Sequence, residues 1–246
     1  MSGAIFGIHP VLQALETKRR GVTRVVIAAS RRDARVRRIE EAARAAGVPV
    51  ARQPESALDR LAEGEAHQGV VALVSDVSYA DPDALLRSAG PRALFVVLDG
   101  VEDPRNLGAV VRVAAAAGAD GLFLPERGTP GLTPVAVKAA AGAVERLPVA
   151  RVGNVVSLLK SLKEQNVWVV GLDGASTSPW TSFDLTSPVA LVLGGEGRGL
   201  RRLARETCDV VLSIPMEGGV ESLNLSVAAG VILFEAVRQR RASAGD

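Results

Sequence analysis

The 246-residue chain has one cysteine (Cys208), two histidines (His9 and His67) and few aromatic residues, 3% in all. A lone thiol excludes an internal disulfide, and one thiol with two imidazoles cannot assemble a Cys/His metal cluster. Nothing in the pattern supports a carboxylate-bound metal either, so no metal is expected. Uninterrupted apolar runs of about eighteen residues, the length of a membrane span, are absent. The opening MSGAIFGIHPVLQALE lacks a basic region ahead of a long apolar stretch. The expectation is a cytoplasmic protein with no membrane partner.

Apolar residues make up 48% of the chain, enough for one large or two modest cores. The net charge of +2 says little, but its distribution is uneven. From Lys18 to Arg38 there are nine Lys/Arg (Lys18, Arg19, Arg20, Arg24, Arg31, Arg32, Arg35, Arg37, Arg38) against one acid, Asp33. Such cation density is the footprint of a phosphate-bearing partner, although an arginine-rich helix is also an ordinary solvated face. With aromatics so scarce, contacts to nucleic acid from this region would go mostly to backbone phosphate. Arg31, Arg35 and Arg38 are the candidates.

Periodicity gives the organisation. The first segment reads strand Val22–Ala28, amphipathic helix Asp33–Ala46, strand Val48–Ala51, helix Pro54–Ala62 and strand Gly69–Val74. Residues 77–92 are polar, with two prolines, and read as a linker between a first domain, 1–76, and a second, 93–246, although Asp83 to Arg87 could make a helical turn. In the second, buried strands are expected at Leu94–Leu98, Gly121–Leu124, Val167–Gly171, Val189–Leu193 and Val210–Ile214. Helices between them imply an α/β fold with a mostly parallel sheet covered on both faces.

Three segments place glycines, amides or a lone charge where such a strand gives way to a helix, the edge at which α/β sheets bind ligands. The first, DGVEDPRNLGAVVR from Asp99, continues into a helix whose stretch Asn106–Ala119 carries one charge, Arg112. A lone guanidinium there either marks the solvent stripe or addresses an anion. Asn106 stands where a helix cap is wanted. The second, LVLGGEGRGL from Leu191, contains Gly194, Gly195 and Glu196. Its glycines run G-x-G-x-G, and the next strand ends Ser213-Ile214-Pro215-Met216 without an acid, so a dinucleotide-binding loop is excluded on both counts. In the third, IPMEGGVESLNLSVAAG from Ile214, Ser222 and Asn224 precede a helix with apolar residues at helical spacing.

In order and spacing these segments resemble the three signature motifs of the SpoU (TrmH-like) RNA ribose 2′-O-methyltransferases. The resemblance extends to FGIHPVLQAL from Phe6, to His67-Gln68-Gly69 and to KAAAGAVERLPVARV from Lys138. It is nearest to members that methylate a guanosine in the peptidyl-transferase-centre loop of bacterial 23S ribosomal RNA. One departure is Ala139-Ala140-Ala141, where relatives often have a serine. The resemblance implies a small N-terminal RNA-recognition domain of ribosomal-protein-like fold and a C-terminal SPOUT methyltransferase domain whose parallel sheet carries a trefoil knot. It implies S-adenosylmethionine as cofactor, contacted at Gly194, Gly195, Ile214 and Leu223, with Asn106, Arg112, Glu196, Ser222 and Asn224 at the reacting centre. It also implies RNA as partner and a homodimer formed through the third-motif helix. A tRNA ribose methyltransferase, or an RNA-binding protein that kept the fold without transfer activity, are the alternatives.

Overall fold

A computed structural model describes residues 3–17, 21–62, 66–74, 78–195 and 197–244. The chain divides into two units, 1–78 and 79–246.

The first unit runs β1 (Gly3–Phe6), α1 (Ile8–Thr17), β2 (Val22–Ala28), α2 (Ala34–Ala45), β3 (Val50–Gln53), α3 (Glu55–Leu61) and β4 (Val70–Val74). Its sheet has the order β1-β4-β2-β3, antiparallel at both β4 pairings and parallel between β2 and β3. Alternate residues of β2 face opposite ways, as the pleat requires. Val25 and Ile27 meet Val11 and Leu15 of α1 and Val36 and Ile39 of α2, whereas Val26 meets Leu58 of α3. Asp33 caps α2, accepting from the Arg35 and Val36 amides. Periodicity from Val22 onward anticipated these elements, but β1 and α1 were not among them. A four-residue edge strand is too short to show a period.

The second unit continues with α4 (Pro82–Arg87), β5 (Leu94–Asp99), α5 (Pro104–Ala116), β6 (Gly121–Pro125), α6 (Pro134–Ala139), β7 (Val149–Val152), α7 (Val155–Glu164), β8 (Trp168–Leu172), β9 (Val189–Gly194), α8 (Arg202–Thr207), β10 (Val210–Leu212) and α9 (Leu225–Ala244). Its six strands are ordered β10-β8-β9-β5-β6-β7, every pair parallel. Leu94, Val96 and Leu98 of β5 turn to the face covered by α5 and α9, and Phe95 and Val97 to the face covered by α7 and α8. Both faces are buried, which explains why the strands read as continuous apolar runs.

Two expectations need correction. The stretch 77–92 is not a free linker: Ala80 bridges Ala150, the Tyr79 hydroxyl accepts from the Leu132 amide, and Leu85 and Leu86 are buried with Phe95. Its polar composition hid this, because only a few apolar residues of α4 make the contact. The strand expected at Val210–Ile214 ends at Leu212; Ser213 bridges Pro179 instead, and 214–216 lie outside the strands. Strand β7, not anticipated, is a four-residue edge strand.

The C-terminal helix is fastened by its last turns. Arg240 donates to the carbonyls of Leu185, Arg92, Ala93 and Ser187, spanning the starts of β5 and β9. Burial lowers the pKa of this guanidinium below its ordinary value, and the carbonyls satisfy it in place of water.

Helices α5 and α6 cross where both are small. A Cβ on Gly108 would overlap the Ala136 carbonyl oxygen and approach Ala139 Cβ to 2.7 Å. Replacing a helical glycine by alanine in open space stabilises by about 1 kcal/mol, but overpacking costs about 1–3 kcal/mol. Gly108→Ala should therefore destabilise the protein, seen as a fall of several degrees in Tm. A rise in Tm would show that the two helices separate at no cost.

Candidate active site

At the carboxyl edge of the sheet, β8, β9 and β10 end side by side, and the loops leaving them surround a cavity of about 900 Å³. Its floor is apolar, with Leu193, Ile214, Leu223, Leu225 and Ala228, and its rim carries Asp173, Arg198, Glu221, Ser222 and Asn224. The loop after β9 turns back on itself: the Gly199 amide donates to the Gly195 carbonyl at 3.1 Å. A Cβ on Gly194 would overlap the Gly199 carbonyl group and the Leu200 nitrogen, and one on Gly195 would overlap the Gly100 carbonyl oxygen. The second motif is therefore pressed against the loop that begins the first. Beyond it, the buried Asp99 carboxylate accepts from the Arg201 amide at 2.9 Å and lies 3.6 Å from the Arg201 guanidinium. These contacts press backbone at Gly194, Gly195 and Gly199 against its neighbours and leave a cradle of peptide groups beside the cavity.

The first motif enters through α5. Asp103 is the cap, accepting from the Arg105 amide, with Pro104 in the first turn. Asn106, expected as a cap, lies inside the first turn, and its carboxamide oxygen accepts from Asn224 Nδ2 at 3.0 Å. Asn224 caps α9 through its own oxygen, which accepts from the Ser226 amide and hydroxyl. One asparagine thus closes a helix and ties two motifs together. The two helices run alongside in the same sense, with Val113 beside Gly230 further on.

Gly194, Gly195, Ile214, Leu223, Ser222 and Asn224 all line the cavity, and Asn106 is joined to it through Asn224. Arg112 is not brought there within one chain: it is exposed on α5, in a stripe with Arg105, Ala109 and Ala116, and makes no ion pair or side-chain hydrogen bond among the described residues. Glu196, and Lys18 to Arg20, lie outside the described residues. In the first unit, Arg31 is engaged internally, bonded to Asp33 and to the Gln68 carbonyl. Arg35 is exposed, and Arg38 makes an exposed 3.3 Å contact to Glu16. The sequence reading missed the loop 173–176, which lines the cavity with Asp173, Gly174, Ala175 and Ser176. Its signal was present: an apolar strand ending in Asp173-Gly174 repeats the strand-to-loop pattern of the other segments.

Residues 93–234 match the SpoU rRNA Methylase family, and residues 4–80 match a domain described as RNA 2′-O ribose methyltransferase substrate binding. The chain belongs to the SpoU rRNA methylase family. It is 47% identical over 239 residues to the 23S rRNA (guanosine-2′-O-)-methyltransferase RlmB of Xylella fastidiosa (strain 9a5c), covering 96% of each chain. Among solved structures it is similar to the SpoU methyltransferase AviRb from Streptomyces viridochromogenes in complex with AdoMet, with a TM-score of 0.83 and 29% identity over 98% of this chain and 91% of that one. It is similar also to an AdoMet-bound rRNA methyltransferase from Sinorhizobium meliloti, with a TM-score of 0.81 and 28% identity over 96% of this chain and 87% of that one. As a member of this family the chain is an RNA methyltransferase that uses S-adenosylmethionine. The cavity fits that group. Its apolar floor suits an adenine ring, the glycine cradle leaves backbone groups open to a ligand, and carboxylates at the rim suit a cationic donor.

The clash built into the cradle makes a test. Gly195→Ala should lower S-adenosylmethionine affinity by about tenfold or more, because displacing the turn by even a fraction of an ångström misplaces its backbone groups. Calorimetric titration measures this. Undiminished affinity would show that the close contact with Gly100 does not shape the cofactor site.

Proposed function

We propose that the protein transfers a methyl group from S-adenosylmethionine to the ribose 2′-oxygen of a guanosine in 23S ribosomal RNA, in the cytoplasm and as a homodimer. The observation that carries this reading is that the second and third strand-end motifs line one cavity and the first is tied to it by the bond between Asn106 and Asn224. The near full-length similarity to the Xylella fastidiosa enzyme supports the choice of guanosine over a tRNA target. The complete set of motifs supports activity over RNA binding alone.

The cofactor supplies an activated methyl on a sulfonium, so the protein's task is alignment and the management of one proton. In this reading the backbone at Gly194, Gly195, Ile214 and Leu223 holds the cofactor. Asn106, Ser222 and Asn224 position ribose and base, and Glu196 completes the glycine loop at the reacting centre. Bound there, the cofactor would supply its methyl to the 2′-oxygen and depart as a neutral thioether, and the hydroxyl proton would pass to solvent water. A guanidinium holds its proton too tightly to serve as a good base, so Arg112 orients the target phosphate and stabilises the developing alkoxide.

The surface around Arg112 supports a dimer. Val227 and Phe234 are seven residues apart on α9 and about half exposed, and α9 packs on α5, whose exposed residues include Arg112 and Ala116. Pairing two copies over this face buries an apolar helix surface and brings Arg112 toward the subunit boundary. Residues 1–76 grip RNA phosphate through Arg35 and Arg38, with Arg31 fixing the turn below them. The second unit carries the C-terminal trefoil knot implied by the family resemblance.

Incubating the protein with labelled cofactor and bacterial ribosomal RNA should label one ribose 2′-oxygen, on a guanosine of 23S RNA. Label on a base, or on tRNA alone, would refute the assignment. Arg112→Ala should abolish transfer and leave cofactor affinity within about twofold, and Arg112→Lys should be nearly as damaging, since a point charge cannot reproduce a planar fork of donors. Wild-type turnover in either variant would return Arg112 to the solvent stripe.

A further inference from the structure

A second, smaller cavity of about 270 Å³ lies wholly within the first unit, lined by Ile8, His9 and Leu12 of α1, Arg35 and Arg38 of α2, and Gln68. Two of the segments that carry the family resemblance, FGIHPVLQAL and His67-Gln68-Gly69, meet here. The methyl-transfer mechanism uses neither. We propose that this cavity is a subsite for one unpaired nucleotide of the RNA substrate. The phosphate would sit between Arg35 and Arg38, and the base against Ile8 and Leu12 with its polar edge facing Gln68 and His9. The proposal rests on the reading of this unit as the RNA-binding part.

Its framework is built to hold Gln68. The backbone there is left-handed, with φ of 50°, a conformation that a glycine would adopt without strain. The turn is nevertheless tied from three sides. The Gln68 carbonyl accepts from Arg31 Nη1 at 2.7 Å, the Gly69 amide donates to His67 Nδ1 at 3.0 Å, and His67 Nε2 pairs with Asp59 at 2.9 Å. Gln68 Oε1 accepts the Ile8 amide at 3.3 Å, which assigns the carboxamide its orientation and turns Nε2 outward. Among the described residues Nε2 has no partner. A strained glutamine fixed by one end and offering two N–H donors at the other is suited to the acceptor edge of a base.

The charges point the same way. Arg35 and Arg38 are one helical turn apart on α2 and line the same cavity, so their guanidiniums repel unless an anion lies between them. The acid that reaches either of them among the described residues is Glu16, in an exposed contact to Arg38. Planar guanidiniums can clasp a phosphate and stack on a base at once, which compensates for the missing aromatics. The cavity has room for a single nucleotide and not for a helix. It therefore selects unpaired RNA over duplex.

The test uses the full-length protein and compares Arg35→Ala/Arg38→Ala with Arg44→Ala/Arg60→Ala, exposed residues of the same unit whose loss changes the net charge equally. Affinity is measured for an RNA stem-loop and for a blunt RNA duplex of the same length, alongside thermal unfolding. The cavity pair should weaken stem-loop binding by about tenfold or more and the control pair by less than about threefold. Gln68→Gly, which relieves the backbone and removes the carboxamide, should weaken stem-loop binding and leave duplex binding unchanged. Guanosine monophosphate should compete for the stem-loop more strongly than inorganic phosphate. Equal losses in the two double variants would overturn the subsite and leave the RNA-binding reading standing, whereas wild-type affinity in both would overturn that reading too. An unaltered stem-loop affinity in Gln68→Gly, or equal competition by phosphate, would reduce the cavity to a phosphate contact and refute base recognition.

Discussion

Much of this protein depends on how closely backbone can approach backbone at one edge of a parallel sheet. Gly194 closes against Gly199 and Leu200, and Gly195 closes against Gly100, with no room at either position for a Cβ. Because side chains are absent there, the turn after β9 presents peptide groups to the cavity and at the same time braces the loop that launches α5. Asp99, buried at the end of the central strand, accepts from the Arg201 amide just past the turn. Close packing joins the second motif to the first, and the bond from Asn224 to Asn106 joins the third.

The helix α9 links that edge to the rest of the unit. Asn224 fixes its beginning at the cavity and bonds to Asn106, while Arg240 fixes its end to carbonyls at the starts of two strands. Between these points one face is buried with α5, and another leaves Val227 and Phe234 about half exposed. A helix apolar on more than one side is fully satisfied only when a second surface covers it. One wall of the cavity and the candidate subunit contact are thus carried by the same element.

Arginine has two distinct uses in this chain. Arg31, Arg201 and Arg240 are tied to carboxylates or carbonyls and hold turns or helix ends in place. Arg35, Arg38 and Arg112 are exposed, and among the described residues their one ion pair, from Arg38 to Glu16, is itself exposed. An exposed ion pair contributes about 0–1 kcal/mol, so these side chains gain little from the fold and remain available to an external anion. Composition alone cannot make this division, since all six are the same residue in similar neighbourhoods.

Local chemistry determined which segments become strands, where the glycine turns fall and that Asn224 stands at a helix start, because each depends on residues within a few positions of one another. The strands of the second unit were legible for the same reason: apolar runs of this length have few other uses than a buried sheet. Tertiary structure decided what spacing along the chain cannot encode. It replaced Asn106 as a cap by Asp103 and made Asn106 the partner of Asn224. It drew α4 into the catalytic unit and added the loop 173–176 to the cavity. It also separated Arg31, already engaged, from Arg35 and Arg38. Each of these outcomes depends on which distant groups come within hydrogen-bonding distance, and that is set by sheet order and by packing across the sheet faces.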